Sequence, residues 1–123
     1  MSTEATAVVP REVEENDKIS IVPGTMTDPQ CATFCLQDED HTLGNALRWA
    51  IMKDPEVDFV SYSMPHPSEP KTNVRVQTTE KTTAIEAVTK GLANVQGICS
   101  HIIQTFNTEL MKGEFEYEDE ENK

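Results

Sequence analysis

Apolar positions recur along this chain with two periods, and the switches between them predict six elements. Lys18-Ile19-Ser20-Ile21-Val22 is a short β-branched run stopped by Pro23-Gly24. From Cys31 to Gln37, Ala32, Phe34 and Leu36 alternate with Cys31, Thr33 and Cys35, so two strands joined by a loop are expected. A helix is predicted from about Thr42 to Lys53, with Leu43, Ala46, Leu47, Ala50 and Ile51 at the 3/4 spacing of one buried face, ended by Asp54-Pro55. Val57 to Met64 has the Val, Phe and Tyr content of a strand, but its apolar residues fall on both faces, the pattern of an internal or doubly covered strand. After Pro65-His66-Pro67, Lys71 to Thr78 alternates as a half-buried strand should. A long helix then begins near Thr82 or Thr83, with no proline before the acidic C-terminal stretch. The expected order is ββαββα, an α+β domain.

The last helix carries the clearest physical sign of function. Ile85, Val88, Leu92, Val95, Cys99, Ile102 and Phe106 follow one another in steps of three and four, a packing seam sustained over three heptads. Ala84, Ile98, Ile103 and Leu110 widen the apolar face, as a helix that also covers its own sheet requires. About 28 helical residues extend roughly 42 Å, whereas a compact domain of about 95 residues has a gyration radius near 12–13 Å. The helix is therefore expected to overhang its domain. Burying seven such side chains contributes on the order of 10–20 kcal/mol at most, so a partner helix is the economical way to cover the seam.

Composition narrows the class. The 123 residues fit one domain, and 37% hydrophobic content supplies a lean core. The net charge of -12 is uneven: residues 1–17 hold five acids and one base, residues 113–123 six acids and one base. These ends read as solvated acidic segments flanking a folded domain over residues 18–112. No basic block or stripe exists to displace counterions from phosphate, so direct DNA or RNA binding is not expected. No apolar run approaches the roughly 20 residues of a membrane span, and the start lacks the features of a secretory signal. Cys31, Cys35 and Cys99 form an odd set without CxxC spacing, which suits free thiols in a reducing compartment, cytosolic or nuclear.

Asp38, Glu39, Asp40 and His41 are the one dense group of acid/base or metal-binding side chains. A small metal-dependent hydrolase using Asp38, Asp40 and His41 is the alternative reading they support. Consecutive residues cannot all point into one site, and no HExxH-type pair accompanies them. Between a strand and a helix they suit N-terminal capping, by a carboxylate or the Thr42 hydroxyl. His66 and His101 have no nucleophile partner in sequence and read as structural. Gly44 is not part of a phosphate loop; inside a helix it points to close approach of a neighbouring helix, which offsets the roughly 1 kcal/mol that glycine costs there. Arg48, one turn later, is a candidate handle for a carboxylate or carbonyl on a partner. An acidic chaperone or nucleic-acid mimic acting through its ends is disfavoured, because most residues belong to the patterned domain.

The run Glu39-Asp40-His41-Thr42-Leu43-Gly44-Asn45-Ala46-Leu47-Arg48 resembles the signature of the alpha-like subunits of cellular RNA polymerases, a family that includes archaeal subunit L and the bacterial alpha N-terminal dimerisation domain. Ala32-Thr33-Phe34 upstream, and Pro55 to Phe59, Tyr62, Pro65-His66-Pro67 and Arg75 to Thr78 downstream, extend the likeness over about residues 18–112. Ile51-Met52-Lys53, the block Ser63 to Glu69, Thr82-Thr83-Ala84 and Lys90-Gly91-Leu92 are most similar to the smaller alpha-like subunit shared by RNA polymerases I and III. Bacterial alpha often has a second arginine where this chain has Trp49, so contacts of that arginine are not carried over.

The resemblance implies a dimerisation module, an antiparallel sheet packed on two helices, that catalyses nothing and holds no cofactor or metal. It implies a heterodimer with the larger alpha-like subunit of polymerases I and III, serving as the platform for their large catalytic subunits in rRNA, 5S rRNA and tRNA transcription. Location in the nucleus, including the nucleolus, follows. It also implies that Leu43, Leu47, Ile85, Val88, Leu92, Val95, Cys99, Ile102 and Phe106 pack in the dimer, while Asn45 and Arg48 face the large subunits.

Overall fold

Strict alternation in Cys31–Gln37 and Lys71–Thr78 sets the middle of the sheet. In the computed structural model, which describes residues 17–118, these are strands β2 and β4, and each buries every second residue. The remaining elements are β1 (Ile19–Ile21), helix α1 (His41–Met52), β3 (Val57–Ser63) and helix α2 (Ala84–Lys112). The ββαββα order expected from the sequence is the order observed. Of the acidic ends, residues 1–16 and 119–123 lie outside the described residues.

The four strands form one sheet in the order β1-β2-β4-β3, with every neighbour antiparallel. The β2–β4 register sets Ala32 opposite Val76, Phe34 opposite Val74 and Leu36 opposite Thr72. That apolar row faces Leu47 and Ile51 of α1 and Ala84, Ala87 and Val88 of α2 in one buried cluster. Thr72 is fully buried, and its hydroxyl donates to the Glu39 carbonyl at 2.8 Å, so the polar group in the core is satisfied. Among the described residues no element covers the other face of the sheet.

β3 corrects the expectation of an internal or doubly covered strand. Among the described residues it is an edge strand, paired with β4 alone, and its register shifts between Val57 and Phe59. The bulge at Asp58 changes the parity. Val57 and Val60 both face inward, although an odd number of steps separates them, and Phe59 is left 45% exposed on the open face.

Two glycines mark close approaches. Gly44 corrects the expected helix contact: a Cβ there would lie 2.7 Å from the Tyr62 ring and 3.0 Å from the Thr72 methyl, so α1 is pressed onto its own sheet. The helix–helix contact is at Gly91, where a Cβ would stand 2.6 Å from Cγ1 of Ile51. Gly97 has open space around it. Alanine gains up to about 1 kcal/mol over glycine at either helical position, but at Gly91 it also meets an overpacking penalty of about 1–3 kcal/mol. Thermal unfolding of the full chain is therefore expected to show Gly97→Ala stabilised and Gly91→Ala destabilised; the same sign for both would contradict this packing.

Candidate functional site

The acidic cluster at the start of α1 resolves into local structure. Asp38 adopts φ +56 in the turn after β2, a left-handed conformation that a short polar side chain tolerates. Glu39 pairs with Lys18 at 2.8 Å. Asp40 is the N-cap, its carboxylate accepting from the Thr42 amide at 2.9 Å, and the His41 ring lies 3.0 Å from the Tyr62 hydroxyl. Among the described residues no group of three or more His, Cys, Asp and Glu is placed to hold a metal. The carboxylate accepts the bond, so the Thr42 hydroxyl is not the cap.

Hydrogen bonding from the Thr42 amide, then from its hydroxyl, with His41 adding a smaller attraction, holds the Asp40 carboxyl below its ordinary 3.8. The folded state favours the ionised form. This contribution to stability is full above pH 3.8 and is lost as pH falls through the lowered folded value. Acid unfolding of wild type is expected to include this loss, and Asp40→Asn, which keeps an acceptor but does not titrate, is expected to lack it. Superimposable pH profiles for the two would remove the role assigned to the carboxylate.

Arg48 donates from Nε and Nη2 to Oδ1 of Asn45, at 3.1 and 2.8 Å, across one exposed helical turn. No ion pair formed among the described residues includes it. Both side chains border a groove of about 480 Å³ between α1 and α2, floored by Ala46, Trp49, Val95 and Ile98. A second groove of about 450 Å³ continues past Trp49 toward Gly97 and His101. Trp49, with Lys53 Nζ 4.7 Å over its ring, stands between them and is 48% exposed.

α2 is capped at both ends. The Thr83 hydroxyl accepts from the Glu86 amide at 3.2 Å, and Gly113, at φ +66, closes the C-terminus with its amide on the Leu110 carbonyl. Between these caps the seam residues divide sharply. Val88 is buried in the domain's own core, as Leu47 is on α1, and Leu43 and Leu92 pack against that core. Leu47, fully buried, has no surface to offer a partner, and Val88 at 5% exposure has almost none. Ile85 is 47% exposed, Val95 half-buried, Cys99 exposed. From Gln96 to Lys112 every residue is exposed, which is about 25 Å of helix beyond the domain. Along this overhang Ile98, Ile102, Ile103, Phe106 and Leu110 are 43–64% exposed.

The stripe is continuous. At 100° per residue, Ile102 and Phe106 lie on the side of α2 that Ala84 and Val88 bury against the sheet. The heptad pattern located this face; it did not reveal that Gly91 is where α1 crosses, or that Trp49 and Ile98 flank the same groove. The row Ala84, Ala87, Gly91, small residues at helical spacing, was the available signal for the crossing.

Comparison with known proteins agrees with this geometry. Residues 31–105 match the family model described as the RNA polymerase Rpb3/Rpb11 dimerisation domain. Subunit RPAC2 of DNA-directed RNA polymerases I and III from Schizosaccharomyces pombe is 49% identical over 94 residues, 76% of this chain and 75% of that protein. Subunit rpc19 of RNA polymerases I and III from Dictyostelium discoideum is 52% identical over 82 residues, 67% of this chain and 71% of that protein. The crystal structure of RNA polymerase subunit L from Thermoplasma acidophilum superposes with a TM-score of 0.66 at 18% identity, covering 82% of this chain and 96% of that one, a likeness of fold. With the matched span running from the first residue of β2 well into the overhang of α2, this chain belongs to the RNA polymerase Rpb3/Rpb11 dimerisation-domain family.

Proposed function

We propose that the chain is the smaller alpha-like subunit shared by RNA polymerases I and III, and that it heterodimerises with the larger alpha-like subunit through α2 and the adjoining α1 groove. The single observation that carries this reading is the apolar stripe of α2, which continues from the core onto an overhang where no other strand or helix among the described residues covers it. Five aliphatic and aromatic side chains in register on a rigid helix have no role in the monomer and a large one in a helix–helix interface. The polymerase I and III subunits at about half identity, named above, support the assignment.

The contact set is refined accordingly. Ile85, Leu92, Val95, Cys99, Ile102 and Phe106 remain interface candidates, joined by Ile98, Ile103 and Leu110, while Leu43, Leu47 and Val88 act through the core that positions α2. Asn45 and Arg48, tied to each other on exposed α1, are assigned to the large catalytic subunits. The role is scaffolding, without catalysis, cofactor or direct nucleic-acid contact, in the nucleus and nucleolus, and the acidic segments 1–17 and 113–123 flank the folded module. Co-expression with the larger alpha-like subunit is expected to give a 1:1 complex on sizing; separate elution of two folded chains would refute the proposal.

A further inference from the structure

The outer end of α2 breaks the trend expected of a helix that leaves its domain. With no strand or helix of the fold beside it, exposure of the stripe should hold or rise toward the free end. Ile102 and Phe106 are 60% and 64% exposed, but Leu110, one turn further out, is 45% exposed, while its neighbour Met111 on another side of the helix reaches 88%. Something shields the stripe at its tip.

The shield is the chain's own continuation. Gly113, at φ +66, turns the backbone out of the helix, in a left-handed conformation that glycine adopts without steric cost. Residues 114–118 follow, and Phe115 faces Phe106 and Leu110 across a cavity of about 320 Å³ that Glu109 and Glu114 also line. Phe115 is itself 44% exposed, against 85% for Tyr117 two residues on, and the two rings meet edge to face with centroids 5.4 Å apart. The sequence supplies the reason. Glu114-Phe115-Glu116-Tyr117-Glu118 alternates acid and aromatic, and a period of two puts both rings on one side of an extended segment. Phe115 thus departs from the reading of this stretch as solvated.

Charge keeps the contact weak. The C-terminus of a helix carries partial negative charge that disfavours nearby carboxylates. Three acids of this segment follow α2 at that end, and Lys112 is already paired with Glu109 at 3.0 Å. A contact held by one ring against that repulsion is displaceable.

We propose that residues 114–118 are an intramolecular cover: in the uncombined chain Phe115 occupies the outer end of the partner-facing stripe of α2, and pairing displaces it. This inference rests on the assignment of that stripe to the larger alpha-like subunit. A binding face open for only a fraction of the time associates more slowly by that fraction, whereas dissociation of the finished pair is unaffected.

Two changes lift the cover by different means. Phe115→Ser with Tyr117→Ser removes the rings and keeps the charge. Gly113→Ala keeps the rings; its Cβ meets nothing within 4 Å, but alanine resists φ +66, so the segment no longer turns back. The first measurement takes the full chain alone with the neutral apolar dye Nile red. Loss of two aromatic side chains by itself lowers dye binding, but uncovering Phe106 and Leu110 is expected to raise emission about two-fold, as an enlarged apolar patch does. The second follows association with the larger alpha-like subunit by stopped flow. Both variants are expected to associate about three-fold or more faster, with dissociation within about two-fold of wild type. Dye emission at or below the wild-type level overturns the cover. Association no faster than wild type overturns its displacement on pairing, and faster dissociation of the serine variant overturns it by making Phe115 part of the interface. If the wild-type chain fails to pair at all, the assignment of the stripe fails, and the dye result alone decides whether residues 114–118 cover it.

Discussion

Ile102→Asp combined with Phe106→Asp is expected to leave the chain folded and to abolish the proposed pairing with the larger alpha-like subunit. In the monomer these side chains are 60% and 64% exposed, so aspartate removes little packing and gains hydration. In a helix–helix interface each forfeits the burial of a large apolar group, about 1.5–3 kcal/mol, and each adds a carboxylate that must be desolvated. A combined loss of about 3–6 kcal/mol from burial alone weakens binding by about two to four orders of magnitude. Circular dichroism of the variant should match wild type, and co-purification with the larger subunit should fail. Met111, 88% exposed, lies about 140° from Phe106 around the helix, so Met111→Asp is the matched control and should bind normally. Binding of the double variant within about threefold of wild type, well under 1 kcal/mol, would remove the overhang from the interface.

Leu47→Ala is expected to act in the opposite way. Its side chain is fully buried among the inward row of the sheet, α1 and α2. Truncating such a leucine costs about 2–5 kcal/mol, a large share of the roughly 5–15 kcal/mol that holds a domain together. At about 4–8 °C per kcal/mol for a domain of this size, the melting temperature of the full chain should fall by at least about 8 °C. Weakened pairing would then follow from loss of fold. If Leu47→Ala melted like wild type yet failed to pair, Leu47 would belong to the partner surface after all, as the family resemblance implied.

The contrast between these residues marks how far a linear pattern reaches. The strands Cys31–Gln37 and Lys71–Thr78 carry clean two-residue alternation and appear with those boundaries. The start of α2 was expected near Thr82 or Thr83 and lies at Ala84, after the Thr83 cap; its C-terminal cap, Gly113, was not read from the sequence. Val57–Ser63 was misread in position because a single bulged residue shifts the inside–outside parity, and a bulge leaves no mark in composition. Gly44 announced a close contact correctly but not its partner, which is Tyr62 and Thr72 of the sheet instead of a helix. Arg48 was singled out by type; that it leans on Asn45 depends on the rotamer chosen by the fold.

By itself, then, the sequence determined six elements in order, a helix too long for its domain and the apolar side of that helix. Those properties are local: they depend on hydrogen-bonding geometry and on residue periodicity within one element. Tertiary structure alone decided where along α2 the stripe stops serving the core and starts facing outward. The physical reason is size. Four strands about 4.8 Å apart span about 15–20 Å, while the 29 residues of α2 extend about 43 Å. One unbroken stripe therefore buries Ala84, Ala87 and Val88 at home and leaves Ile102, Ile103 and Phe106 exposed.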